Sequence, residues 1–577
     1  MRRILITTFA LMVCTVAAIP HAPISARTPR VERGYAPGEV IVKLREPAAD
    51  FDRIVGLASE GNIAQASLTV EVPEPLARLT GPEPVNEIIS RIGLDRTFVL
   101  KVDPGADIHE LAARLRTDAG VEYAEPNYFI KLGSVIPDDP SFSIQWGLRN
   151  LGLGVTGYPA TLDCDIKATE AWTINTGSPD VLVAVTDTGV DITHPDLAAN
   201  IYTNAREIPG NSIDDDNNGY VDDVRGYNLA EQNSDVSDIV GHGTQMAGII
   251  AASTNNQDGI SGVAQSKILP VKFFKRTGPN AHDFNGTIAD AAKAILYSVA
   301  AGASIINASW TSFQDGSDQT PNALADAVAA TEEAGALLVC IAGNEFINND
   351  NTRIYPGAYQ LSNQIVVAAS EYNDEIWHPP FEPTIIKSGY GPNTVHLAAP
   401  GMAIFTTRGR GSCVLCSTST DPNDWYAYID GTSASAAFVS GVAALLKSEY
   451  PNEYVTIMKR RILEGVDVRE TLQPYVKTGG RLNAFKSLTV EIDINPPVVT
   501  RVKYKSGAGK LLIYGAGFER GAFALVGGQR FKAKLKGGDE PYMMSKVPAS
   551  LFPPGVPVQV KLLNPDGGLS EAFTLTR

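Results

Sequence analysis

Between about residues 138 and 486, six short apolar runs alternate with helix-like segments, and this alternation constrains the fold more than any other feature of the chain. The runs are residues 181–186, 268–274, 304–309, 336–342, 365–369 and 395–398. The helix-like segments are residues 243–252, 289–300, 322–334 and 435–449. A strand that is apolar at nearly every position must be buried on both faces, and helices between successive strands supply the cover. The region is therefore predicted to be α/β, with a doubly wound, mostly parallel sheet. Ligands of such sheets sit beyond the carboxyl ends of the strands. Polar residues just past those ends are the ones to inspect.

The chain has 577 residues, too many for a single core. Three further regions flank the alternating one. At the start, Arg2 and Arg3 precede an apolar run over residues 4–19, and small residues follow at Ala17, Ala18, Ala22 and Ala26. This is the layout of a secretory signal over residues 1–26, and the run is shorter than the ~20 residues a spanning helix needs. Export to the cell exterior, periplasm or cell surface is expected, with no transmembrane segment. Residues 34–131 combine a strand at 40–44 with a one-sided apolar helix at 108–116, and a break follows at 137–140. Beyond Leu488, Pro496-Pro497 reads as a linker, and residues 496–577 alternate with many glycines, which predicts a small β-sandwich.

Asp and Glu number 64 against 48 Lys and Arg, a net charge of −16. That balance disfavours a nucleic-acid partner. Of five cysteines, Cys14 leaves with the signal. Cys413 and Cys416 are near enough to pair in an exported protein, and Cys340 lies in an apolar run and reads as a core thiol. Cys164 carries no further reading, and no second cysteine pair completes a zinc spacing.

Four polar residues follow apolar runs or open helices. Asp187 ends the run at 181–186 and is followed by the turn pair Thr188-Gly189. His242 stands between Gly241 and Gly243 at a helix start, where glycines allow close approach. Asn344 follows the run at 336–342 through Gly343. Ser433, in Gly431-Thr432-Ser433, precedes a long helix whose dipole favours developing negative charge. Each has an ordinary structural alternative: a turn aspartate, a helix-start histidine, a turn asparagine or an N-cap serine. Together they supply the nucleophile, base, orienting acid and oxyanion donor that amide cleavage requires.

In that order, and with their neighbours, these residues resemble the subtilisin-like serine protease family. The matching stretches are Asp187-Thr188-Gly189-Val190, His194-Pro195-Asp196-Leu197, Gly241-His242-Gly243-Thr244, Ala342-Gly343-Asn344, Ala398-Ala399-Pro400-Gly401 and Gly431-Thr432-Ser433. The order Asp…His…Ser is itself the one recorded for subtilisin. The resemblance implies a secreted serine endopeptidase acting on proteins and peptides. Ser433 would be its nucleophile, His242 its base, Asp187 the orienting acid and Asn344 the oxyanion donor. It also implies that Ser309, Trp310, Thr311, Ala342 and Gly343 bind the substrate backbone. The chain departs from the family where Ala437 and Phe438 replace a proline and a histidine, and where Thr311 replaces a glycine.

Residues 34–131 resemble the family's propeptides, through 37–42 and 121–128, which implies an autoprocessed zymogen cleaved between about Lys131 and Asp139 with its own propeptide as a partner. Residues 496–577 resemble IPT/TIG immunoglobulin-like modules through 513–518 and 564–568. Between Asp187 and His242, Asp214, Asp216, Asn218, Gly219, Tyr220 and Asp222 follow the spacing of a calcium loop, although Arg225 occupies its twelfth position. A structural Ca2+ is expected there, with Asp223 available as a replacement ligand. Two other readings stand beside the general protease: a catalytically silent binding or adhesion protein on the same fold, and a processing peptidase of narrow specificity.

Overall fold

The computed structural model describes residues 35–45, 90–102, 108–128, 135–153, 160–278, 283–312, 320–378, 388–410, 422–493, 496–519, 521–537, 542–565 and 567–577. The signal region and the loop carrying Cys413 and Cys416 lie outside them. The chain divides into two compact units, residues 1–131 and 132–577.

In the first unit, β1 (Tyr35–Leu44) pairs antiparallel with both β2 (Thr97–Lys101) and β3 (Val121–Tyr128). Helix α1 (Ile108–Leu115) buries Ile108, Leu111, Ala112 and Leu115 against Val40, Val42, Leu44 and Leu100. The one-sided apolar spacing read from the sequence is the face that packs.

The second unit is built on a mostly parallel sheet. Its main strands are β4 (Leu182–Asp187), β5 (Lys267–Lys272), β6 (Ile305–Ala308), β7 (Leu337–Ile341), β8 (Gln364–Ser370) and β9 (Leu397–Pro400). They lie in the order β9-β8-β7-β6-β4-β5, with two-residue strands at both edges. Their side chains alternate between two cores. Val183 and Val185 of β4, with Leu337, Val339 and Ile341 of β7, face one core. Leu182 and Ala184, with Leu338 and Cys340, face the other. Helices α2 (His242–Ala251) and α5 (Thr432–Glu449) cover the first face, and α3 (Ile288–Ala300) and α4 (Asn322–Ala334) the second. Local signals set the helix ends. Thr287 caps α3 by accepting the Asp290 amide, and Gly335 ends α4 with φ +75°. Chain order reverses around β4, which makes its carboxyl end a switch point where a crevice opens.

Residues from 135 onward belong to this unit: the Val135 amide donates to the Thr169 carbonyl, and the Asp139 carboxylate accepts from the amides of Asn255 and Asn256. A hairpin of β10 (Ile404–Thr407) and β11 (Tyr426–Ile429) extends beyond α2. Cys340 is fully buried and unpaired, accepts from Gln364 Nε2 at 3.2 Å, and burial pushes its thiol up to about 12. Cys164 is also a buried free thiol.

The C-terminal module corrects one expectation. It is not two stacked sheets. Its strands β12 (Val498–Lys505), β13 (Lys510–Ala516), β14 (Phe523–Val526), β15 (Gln529–Lys536), β16 (Tyr542–Lys546), β17 (Pro557–Leu563) and β18 (Phe573–Thr576) form one antiparallel sheet. Its order is β12-β13-β16-β15-β14-β17-β18, and the outer strands β12 and β18 approach each other, giving a barrel-like form. The cause is β15. Its first half pairs with β14 and its second half with β16, so one long strand joins what would otherwise be two sheets.

The proline pair also does not leave this module loose. Lys532 Nζ lies 3.0 Å from Glu332 Oε2 on α4, and Arg530 stacks over the Tyr454 ring at 5.1 Å. Gly567 lies so close to Ile457, on α6 (Val455–Glu464), that an added Cβ would come within 2.1 Å of it. Glu332 and Gly335 precede β7, so the module docks at the amino-terminal side of that strand, away from the crevice.

Candidate functional site

Asp187 is the last residue of β4 and is 2% exposed. It accepts the Thr188 amide at 2.8 Å and holds His242 Nδ1 with both carboxylate oxygens, at 2.8 and 3.0 Å. A neutral or charged imidazole must donate from Nδ1 to a carboxylate, so Nε2 is the nitrogen left to face the crevice. His242 opens α2, and Gly243 lets that turn lie on β4: a Cβ there would sit 2.0 Å from the Gly189 carbonyl and 3.0 Å from Asp187 Cβ. Burial opposes the charged imidazole, but the Asp187 charge and hydrogen bond, with the Asp238 charge, outweigh it and raise the pKa of His242.

Asp238 was not singled out from the sequence. Its carboxylate accepts from the amides of Val240, Gly241 and Thr244 and from the hydroxyls of Thr188 and Thr244. It therefore ties the turn after Asp187 to the turn before His242. The only sequence signal was an acid four residues ahead of the histidine.

Ser433 lies in the first turn of α5 and is 6% exposed. Its Oγ donates to the Ser309 carbonyl at 3.4 Å and makes no hydrogen bond to His242. Asn344 is fixed from the other side: its Oδ1 accepts from the Thr432 amide at 3.0 Å and from the Thr432 hydroxyl at 2.8 Å. An amide N–H can only donate, so the oxygen must face Thr432 and Nδ2 is the end left for a ligand. Asp187, His242, Ser433 and Asn344 all line one crevice of about 390 Å³, together with Ser309, Trp310 and Thr311.

The predicted substrate-binding residues divide. Ser309 and Thr311 line the crevice, while Trp310 is largely turned inward, its Nε1 donating to Thr186 Oγ1 at 3.1 Å. Ala342 and Gly343 do not line it. Their carbonyls accept from Asn349 Nδ2 and from the Gly389 amide, and Ile341 and Asn344 take their place in the wall. Val240, Phe274 and Phe284 complete the wall, and Phe284 comes from a short hairpin that periodicity does not reveal. At the departures from the family pattern, α5 runs unbroken through Ala437, and Phe438 packs tightly against Gly147.

The acidic loop is also rearranged. Oxygens of Glu207, Asp214 and Asp216 lie within 4.8 Å of one another. Asn218 and Asp222 are turned elsewhere: Asn218 Nδ2 donates to Asp223 and its Oδ1 accepts from the Tyr220 amide, while Asp222 accepts from the amides of Asn211 and Ser212. Tyr220 packs its ring on Tyr227 and Tyr297. Asp223, the expected replacement, is buried and already accepts from Asn204, Asn218 and Tyr297. Glu207 lies upstream of the loop pattern, so the spacing could not nominate it. Among the described residues no helix is long and apolar enough to cross a membrane.

A family model described as the subtilase family matches residues 178–489. The chain is 30% identical over 460 residues to a thermophilic serine proteinase of Bacillus sp. (strain AK1), covering 79% of this chain and 89% of that one. It is 33% identical over 354 residues to thermitase of Thermoactinomyces vulgaris, covering 61% of this chain and 99% of that one. A similar solved structure is fervidolysin from Fervidobacterium pennivorans, a keratinolytic enzyme related to subtilisin, at TM-score 0.45 and 20% identity over 94% of this chain and 74% of that one. The chain therefore belongs to the subtilase family and is a subtilisin-like serine endopeptidase.

Proposed function

We propose that the crevice cleaves peptide bonds through an acyl-enzyme formed on Ser433, with His242 as base and Asp187 as its orienting acid. The observation that carries this reading is the two-oxygen grip of Asp187 on His242 Nδ1 in the crevice that also holds Ser433 and Asn344. Ser433 Oγ turns from the Ser309 carbonyl toward His242 Nε2, gives up its proton there and attacks the scissile carbonyl carbon. Asn344 Nδ2 and the Ser433 amide, at the positive end of α5, take the oxyanion. Collapse breaks the C–N bond, and His242 passes the proton to the leaving amine. Water, deprotonated by the same imidazole, then releases the acyl group and restores the serine. Asp187 stabilises the imidazolium in both halves. Substrate backbone pairs along Ser309–Thr311, and the aromatic wall receives apolar side chains.

The first unit acts in this reading as a propeptide of an exported zymogen, removed by the enzyme itself between about Lys131 and Asp139. Slow formation of a parallel sheet gives such a unit its purpose. Glu207, Asp214 and Asp216 suit a Ca2+ ion: their oxygens are hard donors, and Arg206, 3.0 Å from Asp216, is a largely exposed counter-charge. A bound ion would neutralise them and tie down the loop between Asp187 and His242, taking no part in the chemistry.

The test expresses the precursor beside Ser433→Ala. The parent is expected to shed its N-terminal unit and digest casein, and the variant to do neither. Equal processing and digestion by both would overturn the proposal.

A further inference from the structure

The chain as a whole is acidic, at −16, yet residues 498–577 carry twelve lysines and arginines against five aspartates and glutamates. The excess is not spread evenly. Strands β12, β13, β15 and β16 contain no acidic residue, and in β12 and β15 cations recur at every second position. Period two on a strand puts alternate residues on one face.

The register shows that these faces coincide. Lys505 lies opposite Lys510, which lies opposite Lys546. Lys503 lies opposite Leu512, Leu512 opposite Met544, and Met544 opposite Lys534. Arg501 lies opposite Tyr514, Tyr514 opposite Tyr542, and Tyr542 opposite Lys536. The intervening residues Val502, Leu511, Ile513, Ala533 and Met543 form the module's core. Three parallel rows thus cross the outer face, the first over three strands and the other two over four, with neighbours about 4.8 Å apart across strands and about 6.8 Å apart along them. Lys503, Lys505, Lys534, Lys536 and Lys546 are exposed and Lys510 is half-buried. None of the six makes a salt bridge among the described residues. The two tyrosine rings lie tilted against each other, 34° between planes with centroids 5.3 Å apart, and Arg501 lies 4.0 Å above Tyr514.

Six like charges on one face repel one another, and a fold gains nothing from holding them together without an anionic partner. At one edge of this face Arg530 and Lys532 are taken up by Tyr454 and Glu332 where the module docks; beyond that edge nearly all the cations are lysines, which act as point charges and not as bidentate forks. Point charges pair with carboxylates and phosphates alike, so the lysines call for a polyanion, and the two tyrosines beside them, apolar rings with polar tips, favour one whose repeating unit is a sugar ring. We propose that this face binds a linear polysaccharide carrying uronic-acid carboxylates, and so holds the protease on an anionic matrix. The module docks at the amino-terminal side of β7, so a polysaccharide on its outer face leaves the crevice open.

The test measures retention of the full chain, as Ser433→Ala to prevent self-digestion, on polygalacturonate. Dextran, an oligothymidylate and phosphatidylglycerol vesicles serve as comparisons. Polygalacturonate is expected to bind, more weakly as salt rises, and dextran is not. Lys503→Glu with Lys505→Glu, Lys534→Glu and Lys536→Glu should weaken binding by about tenfold or more. Tyr514→Ser with Tyr542→Ser should weaken it at unchanged charge. The same lysine changes in the Ser433 background should leave casein hydrolysis unchanged; if they do not, the pair Lys503→Glu and Lys505→Glu decides. Absent binding, binding unaffected by the lysine changes, or tighter binding to the oligonucleotide or to vesicles would overturn the proposal.

Discussion

Two regions of the second unit use charged and polar side chains in opposite ways. In the crevice, four groups from segments far apart in sequence meet at strand ends and helix starts, two buried and two half-buried, each oriented by a named partner. On the outer face of the C-terminal module, lysines from four neighbouring strands repeat along the surface, and apart from Lys532, which meets Glu332, none makes a salt bridge among the described residues. The first arrangement concentrates its effect in a few atoms. The second spreads it over many charges. Single substitutions should therefore be drastic in the crevice and graded on the face, and that contrast is open to test.

The largest effect is expected for Ser433→Ala, with turnover of a peptide ester or amide falling by about 10⁶ and thermal stability unchanged. Asn344→Leu should lower kcat by about 10²–10³ with little change in KM, because its Nδ2 meets charge that develops only in the transition state. Asp238→Asn tests the positioning network. His242 must be neutral to accept a proton, and the Asp187 and Asp238 charges raise its pKa, so kcat/KM should climb with pH through a value above that of a free imidazole. Removing the Asp238 charge should move that limb to lower pH, a shift that mere loosening of the turn would not produce. Chelation with EGTA should lower Tm by several degrees and speed cleavage within residues 207–223, while Glu207→Gln should abolish the chelator's effect. The smallest effect is expected at the docked module. Lys532→Ala removes a half-exposed ion pair to Glu332 and should cost about 1 kcal/mol or less in urea unfolding. An effect on hydrolysis as large as those in the crevice would break the contrast.

Legibility in the sequence followed the same division. Elements defined by local patterns emerged almost whole: residues 322–334 are helix α4 itself, and the run at 181–186 is shifted by one residue from β4. Asp187 and His242 were readable because each sits at an element end marked by glycine. The turn of Ser433 Oγ toward Ser309, the grip of Asp238 on two turns and the approach of Glu207 to Asp214 were not readable. Each depends on contacts between separate segments. The sandwich expected for the C-terminal module failed for a related reason. Alternation identifies strands but not partners, and β15 takes two. The basic face was present as alternation all along, but it becomes one surface only once the register aligns four strands.

The central claim is that Ser433 is the nucleophile activated by His242. Its most direct test is mass spectrometry of the mature enzyme after treatment with a fluorophosphonate. One adduct per chain is expected, on the peptide containing Ser433, appearing in step with loss of activity and absent when His242→Ala is treated. Full inactivation with the adduct on another residue, or undiminished hydrolysis by a chain fully labelled at Ser433, would contradict it.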